Sequence, residues 1–315
     1  MAGLPLVTGA TGFAGSHLVD QLLAHEPGVA AWANPRGSAI VAGDERVTWN
    51  AVDLLDRGAV SNAIAALQPS VVYHCAGAAD VGTSWADPVT PLRVNALGTH
   101  HLLEALRLAG CSARVVVTGS ATVYRASNDP LREDSPIGPS SPYGVSKLAQ
   151  EMLALRATSA AVILARPFNH AGPRQSPAFV TSSFARQIAE IEAGFVAPTL
   201  SVGNLDARRD VTDVRDTVRA YRKLAEKGQP RRAYNICSGR AYRIGDLLEM
   251  LLARARTPIA VVTDPARLRP SDQPVILGDP SRAETELGWR ATVSIEDTLT
   301  DLLEYWRRRV ASART

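Results

Sequence analysis

Short apolar runs and amphipathic stretches alternate through the first half of this chain. Runs rich in β-branched and aliphatic residues predict strands at Leu4–Thr8, Val29–Ala33, Arg46–Val52, Val71–His74, Arg114–Thr118 and Ala161–Arg166. Between them, apolar residues recur at helical spacing over Gly15–Ala24, Val60–Leu67, Val94–Ala109 and Tyr143–Leu155. Near-continuous apolar strands are buried on both faces, and strands that alternate with helices run parallel. Right-handed crossovers then give an α/β, doubly wound parallel sheet, the Rossmann arrangement, which takes ligands outside the carboxyl ends of its strands.

The rhythm changes after about Gly172. Helices are predicted at Phe184–Ala193, Val214–Lys227, Ile244–Arg254 and Ile295–Val310, and strands at Ala233–Cys237 and Ile259–Thr263. These pieces are shorter and more loop-rich. The expectation is a nucleotide-binding Rossmann domain over residues 1–171. A smaller C-terminal substrate-binding lobe, interleaved with returns to the main sheet, is expected over 172–315. A chain of 315 residues, 46% hydrophobic, can bury a core of that size.

Charge removes several partners. Basic and acidic residues number 34 and 31, and the densest basic runs, Arg231-Arg232 and Arg307-Arg308-Arg309, are short. Such a balance offers no stripe for a nucleic acid. No apolar run is long enough to span a bilayer. The three cysteines, Cys75, Cys111 and Cys237, are scattered and lack disulfide-framework or metal-ligand spacing. The chain therefore reads as soluble, cytoplasmic and without a metal site.

The first strand runs into Gly9-Ala10-Thr11-Gly12-Phe13-Ala14-Gly15 and then a helix. Glycines at such a turn allow the sharp bend, let a pyrophosphate approach the backbone and let helix and strand pack closely. Gly9, Thr11, Gly12, Phe13 and Gly15 are thus candidate dinucleotide contacts, although a plain strand-to-helix turn would also use glycine. The second strand ends at Trp32-Ala33-Asn34-Pro35-Arg36 with no carboxylate. A carboxylate there suits a ribose diol, and an arginine suits a 2′-phosphate. Asn34 and Arg36 therefore favour NADP(H) over NAD(H), and Asp53-Leu54 at the next strand end could meet the adenine.

Ser141-Pro142-Tyr143-Gly144-Val145-Ser146-Lys147 places Tyr143 and Lys147 on one helix face. A neighbouring ammonium would lower the phenol pKa toward neutrality, where it can exchange a proton, and could also reach cofactor ribose hydroxyls. Alone, such a pair is as well read as an exposed helix pair. Ser120, just beyond the strand Arg114–Thr118, adds a hydroxyl at the ligand-binding edge, where it could orient a substrate oxygen.

As a set, these residues resemble the extended short-chain dehydrogenases/reductases that act on nucleotide sugars. His74-Cys75-Ala76-Gly77 and Asn95-Ala96-Leu97-Gly98-Thr99 extend the resemblance. In the second half, the segment Arg166 to Pro173, Phe179-Val180-Thr181, Gly203-Asn204-Leu205-Asp206, Arg209-Asp210 and Leu268-Arg269-Pro270-Ser271-Asp272 resemble the GDP-mannose branch. The resemblance implies catalysis by Ser120, Tyr143 and Lys147, with Ala76 and His170 at the cofactor. It implies Asn169, Arg209 and Arg269 at a substrate diphosphate, and Asp272 at its ribose. Ser84, Val180 and Asn204 complete the implied substrate contacts. Dehydratases of the branch carry an acid two residues after the catalytic Ser or Thr, where this chain has Thr122. A hydroxyl is a poor base at neutral pH. The implied activity is reduction of a C4 ketone on a GDP-linked 6-deoxyhexose, with 4-epimerisation next and 4,6-dehydration third. A nicotinamide-sensing binding protein would need a broken catalytic set. The helices Asn95–Ala109 and Tyr143–Leu155 have apolar residues on more than one face, which points to a homodimer.

Overall fold

The computed structural model describes residues 3–37, 43–267 and 273–313. The chain enters as β1 (Leu6–Thr8), α1 (Phe13–Leu23), β2 (Val29–Ala33), β3 (Val47–Ala51), α2 (Arg57–Leu67) and β4 (Val71–His74). Two short pieces follow, α3 (Val81–Ala86) and α4 (Val89–Pro91), then a π-helical turn over Leu92–Leu97 that leads into α5 (Gly98–Leu108). β5 (Arg114–Thr118), α6 (Pro142–Arg156) and β6 (Ala161–Pro167) complete the first half. The second half contains β7 (Asn169–Ala171), α7 (Val180–Glu192), β8 (Thr199–Val202), β9 (Arg208–Asp213), α8 (Val214–Lys227) and β10 (Ala233–Ile236). It ends with β11 (Ala241–Arg243), α9 (Ile244–Leu252), β12 (Ala260–Thr263), β13 (Val275–Ile276) and α10 (Ile295–Ser312).

The main sheet has the order β3-β2-β1-β4-β5-β6-β10, with every neighbouring pair parallel. All five side chains of β2 are buried, so this strand has no solvent face to mark with polar residues. On one side of the sheet, Leu18 and Leu22 of α1 pack with Val218, Tyr221 and Leu224 of α8. On the other, Val60 and Ile64 of α2 pack with Leu102 and Leu106 of α5 and Ala154 of α6. A third cluster joins Phe184 and Ile188 of α7, Leu247 and Leu248 of α9, and Leu299 and Leu302 of α10. Because the strand order reverses between β1 and β4, their carboxyl ends open a crevice at which ligands bind in folds of this class.

Three local features differ from the sequence expectation. The single helix expected over Val94–Ala109 is preceded and entered by a π-helical turn. Asn95, fully buried there, accepts the Ala78 N–H at 2.8 Å and donates to Ala78 O at 3.2 Å and Ser146 Oγ at 2.9 Å. Those three bonds fix the side chain inside a widened turn. The helix expected from Phe184 starts at Val180, because Thr181 and Ser182 are buried and hydrogen-bonded to Gln175 rather than solvated. Finally, Arg208–Asp213 is a strand, pairing with β7, β11 and β13. Among the described residues, no helix is long and apolar enough to cross a membrane.

Candidate active site

The crevice at the switch point deepens into a cavity of about 310 Å³. Its phosphate end is the turn after β1. Gly9 has φ +67°, and a Cβ there would come within 2.7 Å of the Ala76 backbone, so only glycine lets β1 turn so close to the end of β4. A Cβ at Gly15 would meet the Gly9 carbonyl oxygen at 2.1 Å, so this glycine lets α1 press onto the turn. Gly12 caps α1 without any side-chain hydrogen bond and lines the cavity. The first N–H groups of a helix lack intrahelical partners, and together with the helix dipole they suit a diphosphate. The turn thus fits a dinucleotide. Phe13 stacks on His170, with centroids 5.5 Å apart and planes within 8°, forming one aromatic side of the cavity.

Asn34, Arg36, Asp53 and Leu54 lie at the ends of β2 and β3, outside the cavity wall. Asn34 Oδ1 accepts the Arg36 N–H, and the Arg36 guanidinium, 85% exposed, reaches Asp53 at 3.4 Å. An ion pair that long and open is weak, so Arg36 is available to a phosphate. Leu54 is buried, with its carbonyl 2.8 Å from His101 Nδ1.

The strand end of β5 and the first turn of α6 bring Ser120, Tyr143 and Lys147 to one wall. Ser141 caps α6 by accepting the Gly144 N–H, and Pro142 opens the helix, so Tyr143 sits where the chain enters from the cavity edge. Ser120 Oγ accepts from the Thr122 N–H at 3.2 Å and from the Thr122 hydroxyl at 2.9 Å. Its own hydrogen is thereby left for the Tyr143 oxygen or a ligand. Burial pushes the Tyr143 phenol up to about 12, with the Ser120 hydroxyl pulling the other way. The expectation that Lys147 brings this phenol toward neutral pH is corrected: desolvation dominates, and Tyr143 is a protonated phenol. Lys147 Nζ lies 6.0 Å from the Tyr143 ring centroid and donates to Thr118 O at 2.8 Å and Gln150 Oε1 at 2.9 Å. Burial pushes its ammonium down to about 8, opposed by the negative charge of Glu151.

The second half supplies the opposite wall through Asn169, His170, Val180 and Arg209. Burial lowers the pKa of Arg209, whose guanidinium donates to Arg208 O at 2.8 Å. His170 is held neutral by burial. Two expected substrate contacts do not reach the cavity. Ser84 is fully buried, its hydroxyl donating to Val81 O and accepting the Tyr143 N–H, so it anchors the start of α6. Asn204 is exposed and accepts the Asp206 N–H in a local turn. Thr11 and Ala76 flank the phosphate turn without lining the cavity, and Arg269 and Asp272 lie outside the described residues. Sequence reasoning missed Gln150 and Gln175. A polar residue within an amphipathic helix, like Gln150, reads as solvated, and Gln175 lies in a loop with no pattern to mark it as buried. Among the described residues, no cluster of His, Cys, Asp or Glu could hold a metal ion.

The profile of the family described as GDP-mannose 4,6 dehydratase matches residues 6–302. The chain belongs to that family. Through it the chain is one of the extended short-chain dehydrogenases/reductases, nicotinamide-dependent enzymes of nucleotide sugars. It is 37% identical to a GDP-6-deoxy-D-mannose reductase of Pseudomonas aeruginosa, over 96% of this chain and 97% of that protein. It is 31% identical to a UDP-glucose 4-epimerase of Bacillus subtilis, over 94% of each. The structure of RMD from Pseudomonas aeruginosa complexed with NADPH superposes with a TM-score of 0.85 at 34% identity, covering 98% of this chain and all of that one.

A buried phenol that stays protonated is suited to act as an acid. Tyr143→Phe should lower turnover about 100-fold while leaving dinucleotide affinity intact; near-normal turnover contradicts the assignment. With the Lys147 ammonium near 8, kcat/KM should fall as pH rises through about 8. A profile flat to pH 10 would remove Lys147 from the reaction.

Proposed function

We propose that the chain is a nucleotide-sugar reductase that uses NADPH in preference to NADH. Its substrate is the C4 ketone of a GDP-4-keto-6-deoxyhexose, and its product is of the GDP-D-rhamnose type. The observation that carries this reading is the cavity wall: among the described residues, no Asp or Glu lines it. Loss of water across a sugar's C5 and C6 requires a base to take the C5 proton. Where such a base would stand, Thr122 spends its hydroxyl on Ser120. Ketone reduction by a bound hydride donor needs no such base, only an acid and an oxygen-orienting group, roles that suit Tyr143 and Ser120.

When bound, the reduced nicotinamide supplies hydride to the carbonyl carbon. Ser120 donates a hydrogen bond to the carbonyl oxygen and polarises it. Tyr143 gives its phenolic proton to that oxygen as the alcohol forms. The Lys147 charge stabilises the phenolate left behind, and bulk solvent restores its proton. Asn169 and Arg209 hold the substrate diphosphate, and the resemblance adds Arg269 to them. A guanidinium fork suits such a group. The likeness to the Pseudomonas reductase supports the GDP base and the redox direction. A 4-epimerase uses the same three catalytic groups, and the Bacillus relative together with Ser120-Ala121-Thr122-Val123-Tyr124 makes it the second reading. The three free thiols, two of them buried, support a reducing, cytoplasmic setting.

We also propose a homodimer. Leu97 and Leu108 flank and end α5, Val145, Met152 and Leu153 lie on α6, and all five are exposed, Met152 by 62%. Two adjacent helices with uncovered apolar faces suit a two-fold contact.

Incubation with GDP-4-keto-6-deoxymannose should consume NADPH stoichiometrically. A changed sugar without net NADPH loss would favour the epimerase, and UDP- or dTDP-sugars reduced in preference would overturn the GDP assignment. Arg36→Ala should weaken NADPH more than NADH, and equal weakening would remove the basis for NADP preference. Sedimentation should give twice the chain mass, and a monomer at micromolar concentration would refute the dimer.

A further inference from the structure

The Lys147 ammonium has three hydrogens to give, and two are committed inside the protein. One goes to Thr118 O and one to Gln150 Oε1. Gln150 is fully buried, three residues after Lys147 on the same face of α6. Since an ammonium can only donate, Gln150 presents its oxygen to it, and its Nε2 donates to Thr99 Oγ1 at 2.9 Å.

Every further direction follows. Thr99 gives its single hydrogen to Asn95 O at 2.6 Å. Its oxygen is therefore the acceptor for His74 Nε2, 2.8 Å away, and that nitrogen carries the ring proton. His74 Nδ1 is then an acceptor and takes the Thr8 hydroxyl hydrogen at 2.8 Å. Thr8 Oγ1 in turn accepts the Ala76 N–H at 3.2 Å. Thr8, His74, Thr99 and Gln150 are all buried, and burial keeps His74 neutral by pushing its pKa down to about 3. An oriented chain of hydrogen bonds thus runs from the strand ends at the switch point to the catalytic lysine.

We propose that Gln150 is a positioning residue, oriented by the Thr99–His74–Thr8 chain, that fixes the Lys147 ammonium so that one N–H points into the cavity. A lysine head on four rotatable bonds has no preferred direction of its own. Two fixed acceptors occupy two of the three directions in which its hydrogens can point, and the open side is the cavity that Lys147 lines with Gly77 and Tyr143. The inference rests on the reading of Lys147 as catalytic.

Gln150→Leu should lower kcat about 10-fold or more, because misdirecting a positioned group is costly, and should leave the KM for the sugar nearly unchanged. Thr99→Val should do the same, and the double variant should lose no more than either single one, since both cut one chain. Unchanged kcat in folded Gln150→Leu, or additive losses, would overturn the proposal. Nitrogen NMR of the wild-type protein without substrate should find the His74 proton on Nε2; a proton on Nδ1 breaks the oriented chain and overturns it whether or not the variants fold. Lys147→Met separates the two claims. If it turns over normally, the catalytic reading and this inference both fail. If it is inactive while Gln150→Leu is not, this inference alone fails.

Discussion

The rest of the site depends on keeping one buried ammonium charged. Removing Lys147 from water disfavours its charge, and a buried charge is tolerated only when hydrogen-bonded and balanced. Thr118 O and Gln150 Oε1 supply the bonds, and Glu151, the next residue of α6, supplies negative charge. Glu151 is itself held by Arg166, whose Nη2 lies 2.8 Å from Oε2, and Arg166 leans on Tyr124 with its guanidinium 4.9 Å from the ring centroid. Tyr124 donates onward to Asn235 on β10. Helix α6, strands β5 and β6 and the edge strand β10 are thereby joined through one charge.

The same burial explains the division of labour between Tyr143 and Lys147. Burial raises the phenol and lowers the ammonium. Burial therefore moves the two values apart, and neither reaches neutrality. Ser120 stands beside them on the same wall. Thr122 occupies its lone pairs and leaves one hydrogen to aim.

Most of the main sheet could be read from the chain. Val29–Ala33, Val71–His74, Arg114–Thr118 and Val214–Lys227 occur with the bounds their apolar patterns give, because these elements bury what their sequences display. The glycine turn and the Tyr143–Lys147 spacing were equally legible, since backbone geometry and helical periodicity act locally. Arg208–Asp213 was not. Its buried Asp210 accepts the N–H groups of Ser238, Gly239 and Gly278, so a charged residue does the work of a core residue by tying three segments together. Gln150 was hidden for a similar reason. Its partner Lys147 is one helical turn away, but Thr99 is 51 residues away, and only the fold brings it to the pair.

A wall that, among the described residues, carries Lys147 and Arg209 but no carboxylate also has a kinetic meaning. Its field is attractive to any dianionic sugar nucleotide, which speeds encounter and concentrates ligand at the mouth. Yet a ketone and the alcohol made from it carry the same diphosphate. Attraction of that kind holds reactant and product alike and cannot by itself hasten turnover. Discrimination between the two would then have to come from the few atoms around Ser120 and Tyr143, where reactant and product differ.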